Sequence, residues 1–357
     1  MKTKTATYLT IYEKIKLDII NGVYPYKSKL PSKRVLASDL NVSVITIEHA
    51  YSLLYEEGYI DSKERSGYYV IFSKGDGFNV KPEYIPQPTL KEISLQEQTC
   101  LFPFSVISKT IRKILTDYGA TLYEKSENTG CAQFKNAIKG YLAKSKEIYV
   151  DTNQIIIGSG AEYLYGLIIE LLGRNNIFGI EKPSYKQIEQ VYKANEVKYE
   201  LLPLTHDGID SFYLSSTNAT ILHTTPFRSF PTGVTATASK RHEYLDWASK
   251  NDRYIIEDDY ESEFYVFNKP HESLFSSCKT DNVIYLNTFT KTIAPSIRVA
   301  YMVIPKKLVE RFNQKLSFYS CTVPTLEQYL ITELLNNGDF ERHINRVRRL
   351  KKKKLIK

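Results

Sequence analysis

Apolar positions in residues 8–72 recur three times at helical spacing and then shift to the shorter period of a strand. Leu9, Tyr12, Ile15 and Ile19 mark one face of a first helix, which ends near Asn21-Gly22. Ser32 can cap a short second helix with Val35, Leu36 and Leu40 turned inward; Asn41 makes a turn, and Ser43 can cap a third helix. That helix, VITIEHAYSLLYEEG, places Ile47, Ala50, Tyr51 and Leu54 on one face and stops at Gly58. YIDSKERSGYYVI reads as two β-rich arms around Ser66-Gly67. Two short helices joined by a tight turn and followed by a hairpin make a winged helix-turn-helix. A small helical domain with no nucleic-acid partner satisfies the same spacing.

Residues 73–98 contain two Gly and three Pro without a long period and are expected to be a linker. From residue 99 longer helices alternate with short apolar runs: IIIG at 155, NIFGI at 176, ATILH at 219, YIIEDDY at 254 and VIYLNTF at 283. These predict an α/β unit with a mostly parallel sheet, in which ligands bind beyond the C-terminal strand ends.

Composition changes the picture in three places. A length of 357 residues exceeds one ordinary core, so at least two domains are expected. The formal charge of +8 comes from the end of the chain, since HINRVRRLKKKKLIK holds eight Lys/Arg and leaves 40 basic against 40 acidic groups in residues 1–342. Charge alone therefore gives no argument for DNA. Four scattered cysteines without a C-x-x-C pair fit a reducing compartment and no metal site. With neither a signal-peptide h-region nor a long apolar span, a cytoplasmic location off the membrane is expected.

Candidate chemistry gathers at the predicted strand ends. Gly158, Ser159 and Gly160 open a helix whose free amides suit a phosphate, although many Gly-rich turns are only turns. Asp258 can hold a protonated ring nitrogen, and Tyr260 can bond a phenolate oxygen on the same ring; an acidic helix start is the plain alternative. NTFTKTIAPSIRVAY places Lys291 after Thr288 and Thr290 and ahead of Arg298. An amine that forms a Schiff base must spend time deprotonated, which a cationic neighbour favours, and a guanidinium forks a phosphate. Pyridoxal 5'-phosphate would use all of these groups.

YEKIKLDIINGVYPYKSKLPSKRVLASDLNVSVITIEHAYSLLYEEGYIDSKERSGYYV resembles the DNA-binding domain of the GntR family. The resemblance implies that Lys33 and Arg34 contact DNA, that Ser43, Val44 and Thr46 open the recognition helix, and that Arg65, Ser66, Gly67 and Tyr68 form the wing. Val44 and Glu48 stand where the family usually carries Arg. The Gly-rich turn, PSY at 183–185, PTG at 231–233, Asp-x-Tyr and Thr-x-Thr-Lys with its distal Arg, in that order, resemble fold-type I aminotransferases. With TPFRSFPTGVTATASKRHEYLDWA, YIIEDDYESEFYVFNKP and FTKTIAPSIRVAYMVIP, the whole chain resembles the MocR subfamily of GntR regulators.

That resemblance implies a Schiff base at Lys291, Asp258 on the pyridinium nitrogen, Tyr260 on the ring oxygen and Tyr185 on the ring face. Gly160, Ala161, Glu162, Thr288, Thr290 and Arg298 would hold the phosphate, and Tyr123 would reach the neighbouring subunit's phosphate in a homodimer. Phe230 replaces the Asn of aminotransferases, which favours a regulator, and Arg228-Ser229 replaces the subfamily's common His-Gln. Family members continue for about a hundred residues more, a common domain size, with an Arg for an effector carboxylate. The chain is accordingly expected to be truncated, with 343–357 a broken helix and basic tail.

The expected organisation is a winged helix-turn-helix at 1–72, a linker at 73–98, an aminotransferase-like domain at 99–342 and the tail. The expected function is a DNA-binding transcriptional regulator that binds an operator duplex and senses a small amino compound through pyridoxal 5'-phosphate. A working aminotransferase and a DNA-binding remnant are the alternatives.

Overall fold

The computed structural model describes residues 8–64, 66–73, 102–250, 253–265 and 272–355. They divide between two compact units, Met1–Lys91 and Glu92–Lys357. Arg65, Cys100 and all of the expected linker except Ser73 lie outside the described residues.

The first unit contains helices α1 (Tyr8–Ile20), α2 (Lys33–Leu40) and α3 (Val44–Glu56) and an antiparallel hairpin of β1 (Ile60–Lys63) and β2 (Gly67–Val70). Ser32 and Ser43 cap their helices as expected, each accepting a backbone N–H three residues on. Ile47, Ala50, Tyr51 and Leu54 of α3 meet Ile11, Tyr12, Ile15 and Ile19 of α1 in one core. Two inward assignments fail. Leu9 is exposed and Ile11 buried, because the stripe through 12, 15 and 19 takes in position 11 and leaves 9 outside. Val35 is also exposed; Ala37 is the buried residue of α2, with Leu36 and Leu40 packed at the edge.

The second unit is an eight-stranded sheet with helices on both faces. Its strands are β3 (Ile155–Gly158), β4 (Ile177–Lys182), β5 (Lys198–Thr205), β6 (Gly208–Ile209), β7 (Ile221–Thr224), β8 (Tyr254–Asp259), β9 (Val283–Thr288) and β10 (Ala300–Val303), in the order 3-10-9-8-7-4-5-6. The five predicted strands are present. β5, β6 and β10 were not predicted: β5 is interrupted by polar residues and Pro203 and β6 is only two residues long, while β10 lies in an apolar run, VAYMVI, as continuous as those that were read as strands. β10 runs antiparallel between β3 and β9.

Alternation along the strands sorts side chains between two layers. Ile155, Ile157, Tyr285, Tyr301 and Val303 pack with α4 (Phe104–Tyr118), α5 (Ala132–Lys146) and α12 (Thr325–Asn336). Ile156, Ile284, Leu286 and Met302 face α6 (Ala161–Leu172) and α11 (Lys306–Leu316) on the other side. Between these helices in chain order lie α7 (Lys186–Ala194), α8 (Ser211–Ser216), α9 (Ala238–Ser249) and α10 (Leu274–Ser277).

The broken, solvated tail is not observed. Asp339–Leu355 forms one continuous helix, α13, with Phe340, Ile344 and Val347 buried at helical spacing. Its basic residues are partly anchored: Arg348 Nε donates to the Glu263 carbonyl at 2.6 Å, and Lys351 Nζ lies 3.1 Å from Glu261 Oε1. An apolar stripe hidden among charges explains why residue type alone suggested fraying. Among the described residues, no helix is long and apolar enough to cross a membrane.

Candidate cofactor cleft and nucleic-acid face

Strand direction brings the predicted cofactor residues to one edge of the sheet. β3, β7, β8 and β9 end there, and Ala300 at the start of β10 pairs with both Gly158 and Thr288. That register places Arg298, two residues earlier, beside the β3–α6 turn. A cleft of about 140 Å³ opens at this edge, lined by Ala161, Glu162, Tyr185, Asp258, Tyr260, Thr288, Thr290, Lys291 and Arg298. Tyr165, Thr225 and Phe230 also line it.

Gly160 begins α6 with φ +104°, and a Cβ there would lie 2.6 Å from Arg298 Nη2. The positive φ is what favours glycine here, since the guanidinium at the tip of a flexible side chain could move aside. Arg298 Nη2 lies 2.7 Å from Glu162 Oε2, so this guanidinium already has an anionic partner. Thr290 Oγ1 donates to the Ile297 carbonyl at 2.9 Å, and Thr288 Oγ1 is 3.0 Å from Thr290 Oγ1. Both hydroxyls brace the 288–299 loop as well as facing the cleft.

Asp258 is buried at the end of β8. Its Oδ2 accepts from Tyr165 and lies 3.5 Å from His223 Nε2, while His223 Nδ1 bonds Tyr192 at 2.7 Å. Its Oδ1 is buried without a hydrogen-bond partner among the described residues. An orphaned carboxylate oxygen calls for a donor, and a protonated ring nitrogen supplies one. Together with the amide-bearing helix start and Arg298, this fits a phosphorylated pyridine. Burial and the Asp258 charge hold the Tyr165 phenol well above its usual range, so it remains a donor. Tyr165, Tyr192 and His223 were missed in the sequence because they lie mid-helix or mid-strand; Tyr165 is 93 residues from Asp258 and Tyr192 31 from His223, so no local spacing signals them.

Tyr260 and Tyr123 occupy different settings. Tyr260 lines the cleft, and its OH donates to the Arg228 carbonyl at 2.8 Å. Burial, followed by the Glu261 charge, pushes that phenol up to about 12. Tyr123 is 93% exposed and does not line the cleft of its own chain. Arg228 and Ser229 acquire a physical account: Arg228 Nη1 is 3.4 Å from Glu261 Oε1, and Ser229 Oγ donates to the buried Glu181 at 2.5 Å. Burial raises the Glu181 carboxyl to about 7. Tyr185, exposed on the cleft rim, meets the exposed Phe230 edge-to-face with ring centroids 6.1 Å apart.

In the first unit, Ser43 Oγ accepts from Thr46 N at 3.1 Å and lies 2.8 Å from Thr46 Oγ1, so both side chains serve the cap of α3. Val44 is exposed on the first turn. Lys33 Nζ is 2.6 Å from Glu48 Oε1 and 5.8 Å from the Tyr68 ring centroid, joining α2, α3 and the wing. Arg34 is exposed, Ser66 Oγ is 2.7 Å from Tyr69 OH, and Gly67 at φ +108° turns the hairpin.

A winged helix-turn-helix joined to an α/β unit with an anion-suited cleft defines a DNA-binding regulator with a small-molecule domain. The description "Bacterial regulatory proteins, gntR family" matches residues 7–70. The uncharacterized HTH-type transcriptional regulator YdeL of Bacillus subtilis is 32% identical over 97% of this chain and 77% of its own. The probable rhizopine catabolism regulatory protein MocR of Rhizobium meliloti is 26% identical over 95% and 74%. The kynurenine aminotransferase of Pyrococcus horikoshii superposes on 71% of this chain with TM-score 0.64 and 25% identity; the match spans 64% of that enzyme, under two thirds of its length. The chain belongs to the MocR subfamily of GntR transcriptional regulators, with a fold-type I aminotransferase-like domain.

Proposed function

We propose that the cleft binds pyridoxal 5'-phosphate at Lys291 and that the regulator senses a small amino compound there. The observation that carries this reading is the convergence on one cleft of Lys291, Arg298, the helix start at Ala161 and Glu162, and Asp258 with its orphaned oxygen. When bound, the cofactor supplies an aldehyde that exchanges between primary amines. The chain's own residues determine the rest. Asp258, held by the Tyr165 hydroxyl, orients the ring through its nitrogen. Arg298 and the Gly160–Glu162 amides bind the phosphate. Tyr185 and Phe230 form an aromatic wall on the ring side and exclude water there. Tyr123, fully solvent-facing in one chain, is assigned to the cleft of a second copy in a homodimer.

Sensing requires the amino compound to bind two states of the protein unequally, and the operator affinity to differ between those states. The test is a titration of the purified chain with pyridoxal 5'-phosphate, borohydride reduction and peptide mapping, followed by DNA retardation with and without a panel of primary amines. The expected result is one labelled lysine, Lys291, and an amine-dependent change in retardation. Label spread over surface lysines would overturn the cofactor assignment; sustained transamination over many turnovers would establish an enzyme instead.

The Glu162–Arg298 pair makes a separate prediction. A phosphate must displace this carboxylate from the guanidinium, and the pair is half-exposed, so its strength is modest. Glu162→Gln is expected to tighten pyridoxal 5'-phosphate binding about two- to fivefold, read by equilibrium dialysis, because an exposed ion pair contributes up to about 1 kcal/mol. Unphosphorylated pyridoxal should show no such gain.

A further inference from the structure

The exposed face at the start of α3 presents Val44, Ile45 and Glu48, at i, i+1 and i+4. In a helix-turn-helix these first two turns reach the base edges of the major groove. Of the other polar residues here, Ser43 and Thr46 are joined in the helix cap, and the exposed His49 ring packs edge-on against Tyr8 of α1, 5.7 Å between centroids. The base-facing chemistry is therefore two branched apolar side chains and one carboxylate, with no guanidinium among the three.

That set has a definite complement. A carboxylate only accepts, so it matches the exocyclic amino group of cytosine or adenine and is repelled by guanine O6 and N7 and thymine O4. Valine and isoleucine match the thymine methyl group. A bare carboxylate would also be repelled by DNA phosphates, but Lys33 Nζ sits 2.6 Å from Glu48 Oε1 and offsets that charge. The ion pair leaves Oε2 geometrically able to meet a base. It also lowers the Glu48 carboxyl below its ordinary range and raises Lys33, so both charges persist at neutral pH. Residues 8–73 carry eight basic and eight acidic groups, so sequence-independent attraction is small and base contacts carry a larger share of the binding.

We propose that α3 reads its operator through a base amino group at Glu48 and thymine methyl groups at Val44 and Ile45, with Lys33 pinning and neutralising the carboxylate. The inference rests on DNA binding by this regulator and adds the base chemistry it reads.

The test is selection of duplexes from a random-core pool by the full chain at low salt, repeated with Glu48→Gln and with the double variant Val44→Ala, Ile45→Ala. All three side chains are exposed, so an unchanged melting temperature is the folding control. The wild type is expected to enrich cytosine or adenine at one position per half-site, flanked by thymine; which of the two wins identifies the source of the amino group. Glu48→Gln should move that position towards adenine by about tenfold, because an amide pairs bidentately with adenine N6 and N7. The same variant frees Lys33 for a phosphate and should steepen the salt slope by about 0.9. Replacing dT by dU in the selected duplex should weaken the wild type about fourfold per methyl and leave the double variant unaffected. Selected sites that neither variant alters, or retardation with no base preference, would overturn this inference while leaving DNA binding intact. No retardation at all at low salt would instead remove the DNA-binding premise.

Discussion

Lys291→Ala is expected to yield a folded protein that does not retain pyridoxal 5'-phosphate through gel filtration, whereas the wild type does. Lys291 is exposed within its turn, and the 288–299 loop is braced by Thr288, Thr290 and backbone bonds such as Phe289 N to the Val299 carbonyl at 2.8 Å. Removing an exposed side chain from such a loop changes stability by about 0.5 kcal/mol at most. The effect on cofactor retention is much larger, since the covalent attachment is lost while Arg298, the helix-start amides and Asp258 remain. An affinity loss of about a hundredfold, equivalent to roughly 3 kcal/mol, is expected in equilibrium dialysis. The near-visible absorption that depends on the lysine should vanish as well. The DNA-binding unit has its own core, so low-salt retardation of DNA by the cofactor-free variant should survive. A variant that holds the cofactor as tightly as the wild type would show that Lys291 is a bystander.

What the chain disclosed in advance follows from how local each signal is. The α3 face, the two serine caps and the Ser66-Gly67 hairpin are written within a few residues of themselves, and each appears in the structure. The five buried strands were legible because helices cover both faces of the sheet and leave continuous apolar runs. β10 lies in an equally apolar run, VAYMVI at 299–304, that was not read as a strand, and its antiparallel insertion between β3 and β9 is a property of the assembled sheet. That insertion matters to function because it carries Arg298 to Gly160. The support of Asp258 by Tyr165, His223 and Tyr192 was illegible for the same reason: four residues from four elements meet only after folding. Arg228 and Ser229 were conspicuous as departures, but their partners Glu261 and Glu181 lie 33 and 48 residues away.

Gly130→Ala is expected to destabilise the α/β unit by about 2–5 kcal/mol, and the reason lies in how the cofactor edge is built. The glycine has φ +107°, and a Cβ placed on it would sit 2.3 Å from Ile157 Cγ1 and 2.9 Å from Ile157 Cβ. Backbone strain at such an angle costs of order 1–3 kcal/mol for a residue with a side chain. Overpacking against a rigid strand residue adds about 1–3 kcal/mol. Ile157 has little room to retreat: it is 1% exposed, its N–H donates to the Thr129 carbonyl at 3.0 Å, and it pairs with Tyr301 in the sheet. The neighbouring Cys131 N–H is also fixed, donating to Gln328 Oε1 at 2.7 Å on α12. The clash would therefore be passed along β3 to Gly158, where the turn proposed to hold a phosphate begins. A urea midpoint lowered in proportion, with weakened phosphate binding in the surviving folded fraction, is the expected outcome. Ile157→Val deletes only Cδ1 and keeps Cγ1 and Cβ, the two clashing atoms, so it should restore little of the loss. An alanine variant with an unchanged midpoint would mean that the 129–131 turn is held far more loosely against β3 than these distances require.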